Sequence, residues 1–384
     1  MEFSINFTTP VLFGEGTSLK TGERLKQMGV TKALFVYDQG VKKAGLPDKI
    51  IESVKEAGIG VAVFEGVKAD PPVETLDEGA EIGRKENADA VVAVGGGSAM
   101  DTAKGINILL NNPSPIKQYM MPNRAPMKPG KTLILIPTTS GTGSEVTSVA
   151  VLTDTETNRK GGIGGPLVRA TLAIVDPLLT VGMPPSITAD TGMDALVHAI
   201  EACTASRANP MTDILGEKAI TLIMEYLPRA VKDGKDVEAR SNMSFSAMIA
   251  GFAFNDSMTH LGHSVGHTLG AMYHIPHGNA CGIILPEMME FIAETVPEAT
   301  KRVALAMGLK VDGVSAADMG KMLSDAIIEF SNLIGQKTLK DLNIQESALP
   351  EIAEGSAKDV TAIFSPRKAE KEDFLEMLKS AYKR

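Results

Sequence analysis

The stretch Ala90–Lys104, AVVAVGGGSAMDTAK, decides the fold class of this chain. Its apolar run at 90–94 predicts a strand buried on both faces, as in a parallel sheet covered by helices. Three glycines, Gly95, Gly96 and Gly97, then let the backbone turn sharply, and a helix with apolar periodicity follows. The stretch therefore predicts a strand–turn–helix unit of an α/β domain.

The same alternation of elements is found on either side of this unit. Short apolar runs predict strands at 33–37, 61–64 and 132–136, and helices are predicted at 46–57 and 73–86. Strands that alternate with helices are typical of a parallel sheet with helices on both faces. We therefore expect an α/β N-terminal domain with a parallel sheet.

The composition changes at Asp176–Thr188, a segment that contains three prolines and one glycine. Beyond this segment strand-like runs almost vanish, and helices are predicted at 188–204 and 210–231. Proline and glycine followed by a change of hydrophobic period indicate a domain boundary. The predicted organisation is an α/β domain at 1–183 followed by an all-helical domain at 184–384.

Composition limits the classes of partner. The 384 residues are 43% hydrophobic and 22% charged, which is typical of a globular protein with one large or two ordinary domains. A net charge of −9 lacks the basic footprint that nucleic acid or an anionic membrane requires. No apolar run is long enough to span a bilayer, and MEFSINFTTP at 1–10 lacks the pattern of a signal peptide. Two cysteines indicate no disulfide framework, so we expect a cytoplasmic protein. From the charge and the short apolar runs we expect neither nucleic-acid nor membrane partners.

Two loops offer groups that suit a phosphate or a ribose. After the glycines, Ser98 and Asp101 resemble a helix cap with an acidic first turn, at a helix start that favours anions. The second loop, PTTSGTGSEVTS at 137–148, follows another predicted strand. It offers three threonine hydroxyls, those of Thr138, Thr139 and Thr142. The glycine loop is neither a G-x-G-x-x-G nor a Walker motif, and taken alone it is explained equally well as a tight connection. The second loop strengthens the cofactor interpretation.

Asp38 follows the strand predicted at 33–37 and is a third candidate for the same site. An acidic side chain there can accept hydrogen bonds from ribose hydroxyls and repel a 2′-phosphate. An ordinary helix cap or loop aspartate is an equally good interpretation from the sequence alone.

Histidines are concentrated in one region of the chain. Five of the six lie within His260–His277, and the sixth, His198, comes four residues after Asp194. Residues four apart on a helix share a face about 6 Å apart along its axis, and His263 and His267 repeat that spacing. One carboxylate with several imidazoles suits Fe²⁺, Zn²⁺ or Mn²⁺ better than Ca²⁺ or Mg²⁺. The pattern predicts a transition-metal site, a proton-handling site or both.

Four motifs in this order resemble the iron-dependent, or group III, alcohol dehydrogenase family: GGGSAMDTAK, PTTSGTGSE, GMDALVHAIEA and GHSVGHTLGAMYHIPHGNA. The resemblance implies a set of four metal ligands, which are Asp194, His198, His263 and His277. It implies that NAD(H) is bound by the two loops and the early acidic position, which are Asp38, Gly95, Gly96, Gly97, Ser98, Asp101, Thr138, Thr139 and Thr142.

The resemblance also implies an architecture like that of dehydroquinate synthase. A dinucleotide-binding α/β domain would precede an all-α metal-binding domain, with the active site in the cleft between them. Fe²⁺ is the first expectation for the metal and Zn²⁺ the second. A homodimer or larger homo-oligomer is implied by analogy alone.

The implied activity is reversible hydride transfer between NAD(H) and a small primary alcohol, diol or aldehyde, with the metal ion as a Lewis acid for the substrate oxygen. His267 matches a histidine of the family that lies near the nicotinamide and is not a ligand, and we expect it to relay a proton. His260 and His274 are expected outside the ligand set. Cys203 replaces a frequent aromatic residue, either as a small filler or as an oxidisable thiol near the metal.

Three other functions remain open. A lyase or cyclase of the dehydroquinate synthase type would also use NAD and metal, but its phosphorylated substrate calls for several basic residues, and GMDALVHA, GFAFNDSMTH and AMYHIP contain no lysine or arginine. A metallohydrolase would use the same ligands to activate water, without needing two glycine-rich loops. A non-catalytic metal-binding protein is the third. Phe254 and Met258 either face the substrate or belong to the core.

Overall fold

The computed structural model describes residues 3, 5, 9–122, 124–157 and 159–384, residue 159 by its backbone alone. The chain divides into two compact units, one within Phe7–Val181 and the other comprising Gly182–Arg384. Of the ten N-terminal residues on which the expectation of no signal peptide rests, six lie outside the described residues. No helix among the described residues is long and apolar enough to cross a membrane.

The first unit is built on a six-stranded parallel sheet, which confirms the predicted fold class. The strands are β1 Val11–Phe13, β2 Lys32–Val36, β3 Gly60–Phe64, β4 Ala90–Gly95, β5 Thr132–Pro137 and β8 Leu172–Val175. Their order in the sheet is β1-β8-β5-β4-β2-β3. A separate antiparallel hairpin contains β6 Val149–Asp154 and β7 Arg159–Gly164.

Helices cover both faces of this sheet. They are α1 Thr21–Gln27, α2 Gln39–Lys43, α3 Leu46–Glu56, α4 Val73–Lys85 and α5 Gly97–Leu109. Successive strand residues point to opposite faces, so Leu34 lies in the core shared with α4 and α5, whereas Phe35 lies in the core shared with α1 and α3. Two apolar cores, one on each face of the sheet, explain why the sequences of the central strands are uninterrupted apolar runs.

The strand order contains a switch point between β2 and β4. After β2 the chain crosses to β3 on one side, and after β4 it crosses to β5 on the other side. Open α/β sheets bind ligands at the carboxyl ends of the strands that flank such a point. Asp38 follows β2 and the glycines follow β4, so the topology brings both to this edge of the sheet.

The second unit is helical, and no strand occurs among its residues 182–384. Its helices are α6 Pro185–Thr204, α7 Pro210–Lys232, α8 Val237–Ser257, α9 Leu261–Tyr273, α10 His277–Gly282, α11 Leu285–Ile292, α12 Pro297–Ala306, α13 Ala316–Leu333, α14 Leu349–Ala357 and α15 Lys371–Lys383. Helix α6 packs against α7, α8 and α10, and α9 packs against α10 and α14.

Proline and a left-handed cap define the turn between α9 and α10. His274 ends α9 with φ 54°, and Pro276 precedes the first residue of α10, His277. Proline cannot continue the preceding helix but fits the start of the next one. The chain therefore reverses within three residues, and α10 packs back onto α9 and α6.

Candidate functional site

The glycine turn after β4 brings three loops close together. A Cβ added to Gly95 would lie 3.9 Å from Asp38 Oδ2, and one added to Gly97 would lie 2.8 Å from Thr142 Cγ2. The added Cβ of Gly96 would meet Thr139 at 3.4 Å. The structure thus places the predicted acidic residue, glycine turn and threonine loop side by side, and it is the lack of side chains on the glycines that keeps this edge open.

Helix α5 begins earlier than its sequence suggests. Its cap is Gly96, in an extended conformation without a capping side chain, so Ser98 is the second residue of the helix and not its cap. The reason is that β4 continues through Gly95, and glycine permits the direct turn into the helix. A helix start without a side-chain cap leaves backbone N–H groups for an anion such as a pyrophosphate.

The threonine loop contains one hydroxyl whose hydrogen-bonding capacity the described protein atoms do not use. Thr139 Oγ1 is buried and has no hydrogen-bond partner in the described structure. Thr142 Oγ1 accepts a hydrogen bond from Ser144 N at 3.3 Å, and Thr138 N donates to Gly95 O at 3.0 Å. A buried polar group without a partner is costly unless a ligand supplies one, so the loop fits a dinucleotide.

Asp38 caps helix α2 and also faces the glycine turn. Its Oδ1 accepts hydrogen bonds from Gly40 N at 2.7 Å and Val41 N at 2.9 Å, which is the geometry of a helix cap. Its Oδ2 would lie 3.9 Å from a Cβ added to Gly95. The cap and the ribose interpretation are therefore compatible, because each uses a different oxygen.

Asp101 lies in a buried polar network beneath the loops. Its Oδ1 accepts a hydrogen bond from Ser144 Oγ at 2.7 Å and its Oδ2 one from Val151 N at 2.9 Å. Lys104, fully buried, donates to Ser144 Oγ, Thr147 Oγ1 and the carbonyl of Val149 at 2.7–3.2 Å. Both carboxylate oxygens of Asp101 thus have protein partners, and the residue joins α5 to the threonine loop and to β6.

The predicted metal ligands come from three helices of the second unit. Asp194 and His198 lie four residues apart on α6, His263 lies on α9, and His277 begins α10. Asp194, His198 and His263 are buried, and His277 is partly exposed. The structure therefore brings together four side chains, of which the first and the last are 83 positions apart in the sequence.

The centre of this group is Asp194 Oδ1. Three imidazole nitrogens surround it: His198 Nδ1 at 3.8 Å, His263 Nε2 at 3.9 Å and His277 Nε2 at 3.7 Å. The Nε2 atoms of His198 and His263 are 2.9 Å apart. Phe254 stacks on the His198 ring at 4.1 Å between centroids, so at least one face of this aromatic residue belongs to the site.

These distances fit a bound divalent cation. Asp194 Oδ1 is buried without a hydrogen-bond partner in the described structure. Ligand atoms that are each about 2.1 Å from one ion lie roughly 3 to 4 Å from one another, which is close to the separations of 3.7–3.9 Å around Asp194 Oδ1 and to the 2.9 Å between the two Nε2 atoms. Burial raises the pKa of Asp194 to about 7, and a cation would compensate for that desolvation. The donor set of one carboxylate and imidazoles suits Fe²⁺ or Zn²⁺.

Glu201 lies next to the cluster and orients one of its imidazoles, that of His263. This carboxylate, fully buried on α6, lies 2.6 Å from His263 Nδ1 through Oε2 and accepts a hydrogen bond from Gly262 N through Oε1 at 2.7 Å. Burial opposes its ionisation, yet His260 and His263 lower the pKa of Glu201 to about 2. Nδ1 of His263 is thus oriented towards Glu201, and Nε2 faces Asp194, as carboxylate–histidine–metal triads require.

Cys281 lies beside the cluster. The donor atoms of Asp194, His263, His277 and Cys281 all lie within 4.8 Å of one another, so a thiol is adjacent to three of the predicted ligands. His277 and Cys281 are four residues apart on α10, and that spacing could have identified the thiol from the sequence. Cys203, by contrast, is buried against Asp213 and Glu217, and burial raises the pKa of its thiol, which disfavours the reactive thiolate.

The remaining histidines have distinct environments. His267 Nδ1 lies 3.0 Å from Asp359 Oδ2, and its ring is stacked on that of His277 at 5.7 Å between centroids. His260 is fully buried, with Nε2 2.9 Å from Thr204 Oγ1. His274 is exposed at the end of α9.

A parallel sheet with an open glycine turn, together with a cluster of carboxylate and imidazole groups in a helical unit, defines a metal-dependent, dinucleotide-binding enzyme as the class. Comparison with known families makes the class specific. A family model described as iron-containing alcohol dehydrogenase matches residues 8–177, and the Fe-containing alcohol dehydrogenase family, C-terminal, matches 188–382. The chain belongs to the iron-containing alcohol dehydrogenase family, which confirms the resemblance of the four motifs.

Three relatives illustrate the range of the family. Choline dehydrogenase from Bacillus subtilis is 38% identical over 94% of this chain and 90% of its own length. NAD-dependent methanol dehydrogenase from Bacillus methanolicus is 36% identical over 98% and 99%. 1,3-Propanediol dehydrogenase from Citrobacter freundii is 38% identical over 96% of each chain. The three names differ in substrate but share the dehydrogenase activity.

Solved structures agree with the fold along the whole chain. A crystal structure of 1,3-propanediol oxidoreductase superimposes with a TM-score of 0.95 at 36% identity, covering 99% of this chain and 100% of that one. Sulfoacetaldehyde reductase from Bifidobacterium kashiwanohense, solved in complex with NAD⁺, gives 0.91 at 31% identity, covering 100% and 99%.

Proposed function

We propose that this alcohol dehydrogenase transfers a hydride reversibly between NAD(H) and a small primary alcohol, diol or aldehyde, with Fe²⁺ as its metal and Zn²⁺ as the second candidate. The observation that carries the proposal is Asp194 Oδ1, which is buried without a hydrogen bond and surrounded by three imidazole nitrogens at 3.7–3.9 Å. NAD is the cofactor named for the methanol dehydrogenase relative and bound in the sulfoacetaldehyde reductase structure.

Asp194, His198, His263 and His277 are the proposed metal ligands. When bound, the metal supplies a Lewis acid for the substrate oxygen and the nicotinamide supplies the hydride acceptor or donor. Glu201 holds the His263 ring by its Nδ1, and Phe254 packs on His198, so the chain fixes two imidazoles before a metal arrives. A divalent cation would stabilise the ionised form of Asp194, which burial disfavours in the metal-free protein.

The cofactor is proposed to lie at the carboxyl edge of the sheet. The uncapped start of α5 at Gly95, Gly96, Gly97 and Ser98 binds the pyrophosphate, and the threonine loop of Thr138, Thr139 and Thr142 lies along the cofactor. Asp38 accepts from the ribose hydroxyls through Oδ2 and disfavours NADP(H). Asp101, which the sequence also assigns to the cofactor, acts here by holding α5 and the threonine loop together.

His267 is the proposed proton relay. Alcohol oxidation releases one hydride and one proton, and a side chain near the substrate has to move the proton towards solvent. His267 is stacked on His277 and is about one-fifth exposed, at 18%, so it contacts both the ligand cluster and water. Replacing His267 by alanine is expected to lower kcat and alter its pH profile, and full kcat with an unchanged profile would exclude this role.

We further propose a homodimer or larger homo-oligomer in the cytoplasm. The oligomeric state is proposed by analogy with the family alone. The two free cysteines are compatible with a reducing compartment. Light scattering on the purified protein checks the oligomeric state, and a monomer at micromolar concentration would contradict it.

The experiment that tests the function is NADH absorbance with anaerobically purified protein. Aliquots loaded with Fe²⁺, Zn²⁺ or no metal are assayed against short alcohols, diols and aldehydes, with NAD(H) and NADP(H) in parallel. Metal-dependent turnover that is faster with NAD(H) is the expected result. No turnover across the panel, with metal and NAD both bound, would favour the dehydroquinate synthase-like lyase, and turnover of an ester or amide without nicotinamide would favour a metallohydrolase.

A further inference from the structure

Asp359 is far from the metal motifs in sequence but touches His267 in the structure. It lies 92 residues after His267, directly before the short helical turn Val360–Phe364. Its Oδ2 is 3.0 Å from His267 Nδ1. Both side chains are about one-fifth exposed, at 17% and 18%, so the hydrogen bond is largely shielded from competing water. The contact joins the C-terminal part of the chain to α9.

Asp359 is itself held in place. Its Oδ1 accepts hydrogen bonds from Thr361 N at 2.9 Å and from Thr361 Oγ1 at 2.6 Å. Thr361 Oγ1 lies 2.9 Å from Ser264 Oγ on α9, one residue after the ligand His263. The carboxylate therefore has one oxygen tied to the backbone and the other directed at the imidazole, and it cannot rotate without losing three hydrogen bonds.

An ionised carboxylate dictates the tautomer of its imidazole partner. Burial opposes ionisation, but the hydrogen bonds from His267 and Thr361 outweigh it and lower the pKa of Asp359. A carboxylate only accepts hydrogen bonds, so the proton of a neutral His267 must be on Nδ1, and Nε2 keeps its lone pair. The side chains that face the pair are His263 and His277, stacked or edge-on to the His267 ring, and Thr361.

We propose that Asp359 is a positioning residue that holds His267 in one ring orientation and in the Nδ1–H tautomer, so that Nε2 is the nitrogen available to the substrate proton. This inference rests on the proposed function, in which His267 relays the proton released on alcohol oxidation. The hydrogen bonds of Asp359 are to His267 and Thr361, and its proposed effect on the reaction is through His267. Such a carboxylate–imidazole pair is a general way to orient a base.

Asp359→Asn tests this arrangement with almost no change in size. The amide oxygen can keep the hydrogen bonds from Thr361, which leaves the NH2 group facing His267 Nδ1. Because that group only donates, the imidazole must accept at Nδ1 and carry its proton on Nε2. We expect kcat to fall about a hundredfold or more, with KM for alcohol and NAD⁺ within about twofold and metal content unchanged. Asp359→Glu retains an acceptor and is expected to recover part of kcat.

Asp341→Asn is the matched control. Asp341 Oδ2 accepts from Thr338 N at 3.0 Å and Thr338 Oγ1 at 2.9 Å, the same Asp–Thr pattern without a histidine. We expect it to leave kcat unchanged. A double variant completes the test: Asp359→Asn should have little further effect in the His267→Ala background, whereas an independent structural role would lower kcat or the melting temperature there as well.

The tautomer itself can be read without any turnover. ¹⁵N-histidine labelling of the zinc-loaded protein gives six imidazole spin systems, and His267→Ala assigns one of them. The proposal predicts a protonated Nδ1 and an unprotonated Nε2 for His267 in the wild type, and the reverse in Asp359→Asn. A protonated Nε2 in the wild type, or an unchanged kcat in Asp359→Asn, would overturn it. Absence of alcohol turnover in the wild type would instead contradict the proposed function while the NMR result still decides the role of Asp359.

Discussion

Asp101 and Asp194 are both shielded carboxylates, yet their surroundings are opposite. Both oxygens of Asp101 accept hydrogen bonds, from Ser144 Oγ and Val151 N, and Lys104 Nζ lies 3.7 Å away. Asp194 Oδ1 has no hydrogen-bond partner in the described structure, and its three nearest imidazoles lie beyond hydrogen-bond distance. A polar network complete within the protein stabilises a fold, whereas an incomplete one is prepared for a ligand. The comparison distinguishes residues such as Asp101, which stabilise the fold around the site, from residues such as Asp194, which we expect to bind a ligand.

Asp194→Asn is expected to have the largest effect. Losing the carboxylate at the centre of the cluster should remove bound metal and lower kcat/KM by more than about a thousandfold, since a Lewis acid contributes several kcal/mol. The metal-free variant should melt at or above the temperature of the metal-free wild type, because a desolvated carboxylate is removed. Metal analysis, NADH turnover and calorimetry measure the three quantities.

Asp190→Asn is the control for this variant. Asp190 lies one turn earlier on α6, and its Oδ1 accepts from Gln336 Nε2 at 3.4 Å. We expect stoichiometric metal and normal turnover. If Asp194→Asn also keeps its metal, or if both variants lose it, Asp194 is not the centre of the site.

Lys104→Met tests the other half of the comparison. Removing the buried ammonium leaves Asp101 without a compensating charge, and breaking such a buried pair costs about 3–5 kcal/mol. The free energy of unfolding in urea should fall by this amount, whereas metal content should not change. Lys85→Met, at the exposed end of α4, is the control. A loss below about 1 kcal/mol would show that the network does not stabilise the first unit.

Glu145→Gln predicts a pH dependence. Burial raises the pKa of Glu145 to about 7, so the folded state holds its proton more tightly than the unfolded chain. The stability that the neutral carboxyl contributes is present below the unfolded pKa of about 4.3 and is lost as the pH rises through about 7. Glutamine does not titrate. The unfolding free energy of the variant minus that of the wild type should therefore increase by about 3 kcal/mol between pH 5 and pH 8.5, and a constant difference would contradict the assignment.

Asp38→Asn is expected to have the smallest effect. Asparagine keeps the two cap hydrogen bonds of helix α2, so the melting temperature should not change. The negative charge beside Gly95 is lost, and the kcat/KM ratio of NADP⁺ to NAD⁺ should rise about tenfold, equivalent to about 1.4 kcal/mol. Asp48→Asn, in the exposed first turn of α3, should leave the ratio unchanged. An unchanged ratio in Asp38→Asn would restrict Asp38 to its role as a cap.

The sequence predicted the fold where local signals were strong. Strands β2, β4 and β5 and helices α3, α4 and α7 lie within two residues of their predicted bounds, because apolar runs and periodicity identify buried elements directly. Helix boundaries at glycine and proline were harder. Helix α6 begins at Pro185, three residues before its predicted start, since proline fits the first turn.

The site was predictable where residues share a helix. Asp194 and His198, and then His263 and His267, show their spacing in the sequence, so the cluster of histidines indicates a metal site. Asp359 gave no such signal, because only the folded chain brings it to His267 across 92 residues. Glu201 was visible seven residues after Asp194 on the same face of α6, but a glutamate at that spacing is more often solvent-exposed.

X-ray absorption spectroscopy of the metal-loaded protein tests the central claim most directly. We propose one ion bound by Asp194, His198, His263 and His277, while Cys281 also lies within 4.8 Å of three of these residues. With zinc, the account predicts a first shell of nitrogen and oxygen at about 2.0–2.1 Å with the scattering pattern of imidazole rings. A sulfur neighbour at about 2.3 Å would show that Cys281 is a ligand and would contradict the proposed set.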